Sequence, residues 1–144
     1  MKFYSMTELP IEGSKNFSWG EALWLYQWQI HALPSAVVEQ NIIDLAQRLE
    51  LIRRFLGKPL RITSWFRPPP YNVFIGGAKR SQHMLGRAAD FVVADIDADR
   101  VRALLYPRLA EFNLRMEDKP GSSWVHIDTA CTENMTLPQR YFKP

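Results

Sequence analysis

The longest regular pattern of apolar positions in the chain lies between Ser35 and Phe55. Apolar residues recur there in steps of four and three, which keeps one face of a helix apolar over about five turns. These residues are Val38, Ile42, Leu45, Leu49, Ile52 and Leu56. Gly57 and Pro59 follow, and both are typical of a helix end. The pattern predicts a long amphipathic helix that packs one face on the core.

After this helix the pattern changes to strands and one further helix. Residues 60–65 alternate in character, which predicts a strand from Leu60 to Trp65. Further strands are predicted at Ala89–Ala94, Phe112–Met116 and Ser123–Asp128. Between the first two, Asp97 is a candidate N-cap for a helix that Pro107 ends or kinks. A short connection between the last two strands favours antiparallel pairing.

The aromatic segment from Asn16 to His31 predicts a short helix packed on the main body. Ser18 is its candidate N-cap, three residues before Glu21. Trp24 and Trp28 are four residues apart, so we expect both rings to lie in the core.

Two other segments lack a regular period. Residues 67–77 contain three consecutive prolines, Asn72 and a Gly-Gly pair, which predicts a shaped loop through which no regular element runs. The tail from Thr132 to Pro144 has the weakest pattern, and we expect a strap or a loosely ordered end.

The order of elements predicts an α+β fold with a small, mainly antiparallel sheet and helices packed on one side. With 144 residues, 47% of them hydrophobic, the chain is long enough for one core. We expect a single domain over residues 1–144. It has a helical N-terminal part (about 16–56), a central part (about 60–128) and a tail (129–144).

Charge and cysteine content exclude few classes of function. The 18 basic and 15 acidic residues are spread along the chain, so the net charge of +3 does not require nucleic acid as a partner. Binding of nucleic acid through this charge and exposed aromatic rings is the weakest alternative. Because Cys131 is the only cysteine, no intramolecular disulfide can form.

No stretch is long and apolar enough to span a membrane, and residues 1–10 do not resemble a signal peptide. We therefore expect a protein that is made in the cytoplasm and has no membrane partner. We also expect a monomer.

Two of the three histidines and one aspartate are candidate metal ligands. A catalytic zinc ion usually takes three protein ligands from His nitrogen and carboxylate oxygen when Cys is absent. His83, Asp90 and His126 meet that requirement. Gly86 permits a tight turn between His83 and the strand that carries Asp90. The central part would thus be a metal-binding core with its site at the sheet surface.

The last predicted strand separates polar from apolar side chains. His126 lies on one face with Trp124 and Asp128, while Val125 and Ile127 point to the core. Of the tryptophans, we expect only Trp65 and Trp124 at the cleft.

These residues resemble a known family, the zinc D-alanyl-D-alanine peptidases with related cell-wall endopeptidases and phage endolysins, which share a core with hedgehog domains. The resemblance covers roughly Phe17 to Asp128. The matching residues are Ser64-Trp65-Phe66-Arg67, Asn72, Gly76-Gly77-Ala78, Ser81-Gln82-His83, Gly86, Ala88, Asp90 and Trp124-Val125-His126-Ile127-Asp128.

The resemblance implies roles for individual residues. His83, Asp90 and His126 would bind Zn²⁺, and Arg67 would hold a substrate carboxylate or stabilise an oxyanion. Ser81 and Gln82 would shape the same pocket, and with Trp124 they are the candidate substrate-binding residues. The implied substrate is peptidoglycan or its stem peptides, cut at bonds that contain D-amino acids.

The general base is the incomplete part of the resemblance. Many members of the family place a Glu, Asp or His two or three residues before the last ligand, where this chain has Trp124 and Ser123. Asp128, Glu117 and Asp118 are the remaining candidates, with Asp128 favoured slightly more as a partner that orients His126.

Two hypotheses from different classes follow. The first is a zinc peptidase, a carboxypeptidase or an endopeptidase, that acts at the bacterial cell wall and is encoded by a phage or a phage-derived gene. The alternative is a zinc-binding or wall-binding module that has lost the general base and does not catalyse.

Overall fold

Residues 8–144 are described by the structure, a computed structural model, and form short elements around one long helix. The α-helices are α1 (Trp19–Leu23), α2 (Ala36–Leu56), α3 (Pro69–Phe74), α4 (Ala98–Leu105) and α5 (Leu109–Phe112). The strands are β1 (Pro10–Ile11), β2 (Ser14–Ser18), β3 (Trp24–Leu25), β4 (Ile30–His31), β5 (Leu60–Ser64), β6 (Ala88–Val93), β7 (Arg115–Glu117), β8 (Val125–Asp128) and β9 (Tyr141–Phe142).

Helix α2 confirms the strongest sequence prediction. Ser35 caps its start, with the hydroxyl accepting a hydrogen bond from the Val38 amide, and Gly57 ends it in the left-handed region at φ 66°. The apolar face predicted from the spacing is buried, including Ile42, Leu45 and Leu49. This face supports both the N-terminal segment and the turn that leads into the main sheet.

The main sheet contains five strands of the described residues, in the order β5-β6-β8-β7-β9. All neighbouring pairs are antiparallel except β7 and β9, which are parallel. Phe91, Met116, Val125 and Ile127 point from one face into the core shared with α2. The opposite face of β6, β7 and β8 is therefore available for polar side chains. The prediction of mixed helices and small sheets is confirmed.

The N-terminal segment forms two hairpins, β1–β2 and β3–β4, around α1. The predicted capping box between Ser18 and Glu21 is confirmed. The placement of Trp24 and Trp28 in the core is wrong, because each residue is 37% exposed. The helix ends at Leu23, so their spacing of four does not put them on one helical face.

The prediction that no regular element runs through residues 67–77 is wrong, because α3 lies there. Pro68 is its N-cap residue, and Pro69 and Pro70 occupy the first turn. The amide groups of the first helical turn have no acceptor within the helix, so proline, which lacks an amide hydrogen, loses no hydrogen bond there. Three prolines in a row therefore begin a helix here instead of preventing one.

The strand predicted from Phe112 is wrong over its first half. Helix α5 continues to Phe112, Asn113 ends it in the left-handed region at φ 52°, and β7 begins only at Arg115. The last strand was predicted from Ser123 and begins at Val125, as β8. The predicted antiparallel pairing of these two strands is confirmed. Of the two expectations for the tail, the strap is correct. The tail forms β9, which pairs with β7 as the last strand of the sheet.

Within residues 8–144, no helix has the length and apolar character of a membrane span. The expectation that residues 1–10 are not a signal peptide falls largely on residues 1–7, which lie outside the described residues.

Candidate metal centre

The first candidate ligand, His83, lies in a 3₁₀ turn between α3 and β6. This turn spans Gln82–Leu85, and the Ser81 hydroxyl caps it by accepting a hydrogen bond from the His83 amide at 3.2 Å. Gly86 ends the turn at φ 72°, directly against α2. A Cβ atom there would lie 3.0 Å from the Ile42 side chain and 3.1 Å from that of Val38. The turn is thus held against the long helix, and His83 is buried.

The other two candidate ligands, Asp90 and His126, face each other across the ladder of β6 and β8. Opposed residues of an antiparallel pair project to the same face of the sheet. Their neighbours Phe91, Val125 and Ile127 point the other way into the core, as predicted for β8. The alternation of these two strands therefore puts both side chains on the polar face.

The structure brings the three side chains into one cluster, with a ligand atom of each within 4.8 Å of the others. Asp90 Oδ1 lies 3.2 Å from His83 Nε2 and 2.9 Å from His126 Nδ1. Two imidazole nitrogens and a carboxylate oxygen are a donor set that zinc prefers, and three protein ligands leave room for a further one. The residues present therefore fit a catalytic zinc ion.

The remaining nitrogen of each imidazole is engaged by an acceptor. Nδ1–H of His83 donates to the carbonyl oxygen of Trp65 at 2.6 Å. Nε2–H of His126 donates to Asp128 Oδ2 at 3.2 Å. Because these acceptors hold the protons on the outer nitrogens, the inner nitrogens face the cluster, which is the arrangement a metal requires.

Charge coupling within the cluster changes the pKa of each member. Burial opposes the charged form of Asp90, but the adjacent His83 and His126 outweigh it and hold the pKa of this carboxyl far below its usual range. Burial likewise opposes the charged form of His126, yet its bonds to Asp128 and Asp90 raise its pKa to about 9. For His83 burial prevails and lowers the pKa. Asp90 is therefore ionised, as a metal ligand must be, and a cation bound here would displace the proton from His126 Nδ1.

Asp128 is fully buried behind His126 and holds an ion pair with Arg115 of β7. Its two oxygens accept hydrogen bonds from Arg115 Nε at 2.8 Å and Nη2 at 2.9 Å. Arg115 lies 4.0 Å from the ring centre of Phe142 in β9, and that ring also contacts His126. Sequence analysis missed Arg115 and Phe142. The alternation of Arg115, Met116 and Glu117 was the available signal, but the misplaced strand start obscured it.

Arg67, the predicted cationic residue, contacts the candidate ligand Asp90. Its Nη2 donates to Asp90 Oδ2 at 3.2 Å, and its Nε donates to the Ser64 hydroxyl at 2.9 Å. Asp90 therefore presents one oxygen to the histidines and the other to Arg67. The guanidinium is largely buried and lines the open cleft that contains the cluster.

The segment after α3 forms part of the cleft lining. Asn72 is buried and its Nδ2 donates to the Ala78 carbonyl at 2.8 Å. Gly77 passes so close to the Asn72 side chain that a Cβ atom would collide with it. Asn72 and the Gly-Gly pair of the sequence motif are therefore explained as the parts that fold this segment.

The predicted substrate-binding residues Ser81, Gln82 and Trp124 all line the cleft. The expectation for Trp65 is wrong, because its ring is buried in the core and only its carbonyl oxygen reaches the site. Cys131 is not among the cleft-lining residues, and its thiol donates a hydrogen bond to the Asn113 carbonyl.

A buried His-Asp-His cluster at the floor of an open cleft, with an arginine beside it, is typical of mononuclear zinc hydrolases. A family model described as peptidase M15 matches residues 26–128, which include every candidate ligand and most of the cleft. The chain therefore belongs to the peptidase M15 family. A search of curated proteins found no match.

Proposed function

We propose that this protein is a zinc-dependent peptidase that hydrolyses D-amino-acid-containing peptide bonds of bacterial peptidoglycan. The observation that carries the proposal is the convergence of His83, Asp90 and His126 within 4.8 Å at the floor of the cleft. Membership of the peptidase M15 family supports hydrolysis of a peptide bond. We also propose that the fold is that of the hedgehog and DD-peptidase group, in line with the small antiparallel sheet.

In this proposal, His83 Nε2, Asp90 and His126 Nδ1 would hold a zinc ion. A zinc ion there would supply a Lewis acid for a peptide carbonyl and a lower pKa for bound water. Trp65 and Asp128 orient the two imidazoles through their outer nitrogens. Arg67 keeps a permanent positive charge beside Asp90, from which it can stabilise the oxyanion of the tetrahedral intermediate or bind a substrate carboxylate.

The charges of the cleft support an anionic peptide as substrate. Five basic residues line it (Arg67, Arg80, Arg115, Lys119 and Lys143) against three acidic ones (Asp90, Glu117 and Asp128). Three of the basic residues already face acidic partners, Arg67 with Asp90, Arg115 with Asp128 and Lys143 with Asp118. Two basic residues, Arg80 and Lys119, remain against Glu117. Stem peptides of peptidoglycan carry free carboxylates, so the positive excess would attract them. A role at the cell wall, as a phage endolysin or a phage-derived enzyme, belongs to the same proposal.

The test combines metal content with cleavage of purified peptidoglycan, for the wild type and for His83→Ala. We expect about one zinc ion per wild-type chain and release of peptide fragments, both lost in the variant. Absence of zinc from the wild type after incubation with the metal would contradict the site. Bound zinc without cleavage of any wall preparation would favour the non-catalytic module, a candidate to which Ser123 and Trp124 at the usual positions of the base give some support.

A further inference from the structure

The hydrolysis proposed above needs a group that takes a proton from water, and three carboxylates near the cluster are candidates for it. They are Asp128, Asp118 and Glu117. We infer that Glu117, on the neighbouring strand β7, is the general base of this site. The inference rests on the proposed function, and it places the base on a different strand from the one that carries the last zinc ligand.

Asp128 is excluded by its bonding. Its carboxylate is fully buried and accepts both bonds of the Arg115 guanidinium, a third from the Ala130 amide and a fourth from His126. A carboxylate has about four lone-pair positions, so this one is saturated. It has neither the exposure nor a free oxygen with which to receive a proton from water in the cleft.

Asp118 is excluded by its position. It follows Glu117 in the chain and forms an ion pair with Lys143 at 2.6 Å. It is not among the residues that line the cleft. Its carboxylate is therefore engaged by Lys143 at the margin of the cleft and does not line it.

Glu117 lies on the correct face of the sheet. Strand β7 pairs with β8 so that Arg115 opposes Asp128 and Met116 opposes Ile127, and the next residue of β7, Glu117, continues toward the His126 end of β8. Met116 is buried in the core, so Arg115 and Glu117 project from the polar face. Glu117 and His126 line the same cleft, so the Glu117 carboxylate can reach water beside this candidate ligand.

The carboxylate of Glu117 is also available for reaction. It lines the same cleft as Arg67, His83, Asp90 and His126. Among residues 8–144 it forms no hydrogen bond or ion pair, although its charge acts on Arg67. Among the three candidates, it alone combines a place in the cleft with free oxygens.

The reaction that follows is balanced. As the water oxygen attacks the scissile carbonyl carbon, one water proton passes to a carboxylate oxygen of Glu117. The same proton then passes to the leaving amide nitrogen as the C–N bond breaks. The acyl part leaves as a carboxylic acid, the other part as an amine, and Glu117 returns to its ionised state.

Glu117→Gln in the zinc-loaded protein is the test, because it removes the basic oxygen and preserves the shape. We expect kcat for peptidoglycan fragments to fall about 100-fold or more, the usual contribution of a general base. KM, zinc content and the thermal unfolding temperature should remain close to the wild-type values. Glu111→Gln, on the exposed surface of α5, is the matched control and should retain full activity.

Two results separate the failure of this inference from that of the proposed function. A wild type that cleaves, together with a folded, zinc-loaded Glu117→Gln that keeps more than a third of its kcat, would overturn the role of Glu117 alone. A zinc-loaded wild type that cleaves no wall peptide would overturn the proposed function and this role with it. Partial recovery of kcat in Glu117→Asp would support proton transfer, since a purely structural role for the longer side chain gives no reason for it.

Discussion

The inner and outer strand pairs around the cluster use polar side chains in different ways. On the inner strands β6 and β8, Asp90 and His126 contact each other directly and are held in a buried network. On the outer strands β7 and β9, Arg115 and Phe142 support that network from behind, while Glu117 stays unpaired. In the proposed function, the inner pair binds the cation, and the outer pair supports the ligands and carries out the proton transfer.

This difference separates two kinds of requirement. Metal binding depends on donor atoms that converge, so its residues must be rigid and fully paired. Proton transfer depends on a group that exchanges protons with water, so its residue must remain partly open. Substitutions on the inner strands should therefore weaken zinc binding, whereas those on the outer strands should change rate or stability while zinc is retained.

The largest effect is expected for Asp90→Asn. The amide keeps the shape of the side chain but removes the negative charge that faces both histidines and Arg67. Structural zinc sites with four ligands bind zinc with a total free energy of about 10–16 kcal/mol. An equal share for each ligand is about 3 kcal/mol, which corresponds to about 100-fold in affinity. Competition against a chromophoric chelator measures this change, and hydrolysis should be lost with the metal. Unchanged affinity would show that Asp90 is not a ligand.

Asp128→Asn tests the connection between the two strand pairs. The substitution leaves Arg115 without its carboxylate partner and weakens the hold on His126 Nε2. Loss of one partner of a buried ion pair typically costs about 3–5 kcal/mol, and loss of a group that orients a ligand lowers metal affinity about 10–100-fold. Urea unfolding with a chelator present measures the first effect and zinc titration the second.

The double variant Asp128→Asn with Arg115→Met is the control for that prediction. It removes both charges, so much of the lost stability should return while zinc affinity stays low. If the double variant were no more stable than the single one, the ion pair would not be the cause of the loss.

A third, smaller effect is expected for Arg67→Lys. Lysine keeps the charge, but it cannot donate to the Ser64 hydroxyl and to Asp90 Oδ2 at the same time in the fork geometry of a guanidinium. We expect kcat/KM to fall by less than the roughly 100-fold that removal of a whole oxyanion donor costs, because the positive charge remains, with zinc content preserved. Steady-state kinetics on a defined stem peptide measures it. A variant with wild-type kcat/KM would contradict the role of Arg67 near the reacting carbonyl.

The same division explains how much could be predicted from the sequence. His83, Asp90 and His126 could be predicted as ligands from their residue types. For His126, the alternation of strand residues also predicted the face to which it points. The partnership of Asp128 with Arg115 depends on the register of two strands, which the order of residues does not reveal. The start of β7 was misjudged because Asn113, which ends α5 in the left-handed region, was not recognised as a helix cap.

The other errors concern residues whose structural role depends on where a helix begins or ends. Prolines break a helix in its interior but favour its first turn, and only the structure shows which position Pro68, Pro69 and Pro70 occupy. Trp24 and Trp28 would share a face in a helix, but α1 ends before them, so both rings remain partly exposed. The predictions failed where the end of an element decided the outcome, while the long helix and the alternation of β8 were recognised.

The smallest effect, and the finest test of the outer strands, is expected for Phe142→Ala. The Phe142 ring lies over Arg115 and against His126, so its removal takes away a cation–π contact worth about 0.5–2 kcal/mol. We expect a loss of stability in that range, an unchanged zinc content and a decrease in kcat of a few-fold. Phe142→Leu, which keeps much of the apolar volume, separates packing from the aromatic contribution. Loss of zinc in Phe142→Ala would show that β9 helps to hold the ligands themselves, and would erase the distinction between the two regions.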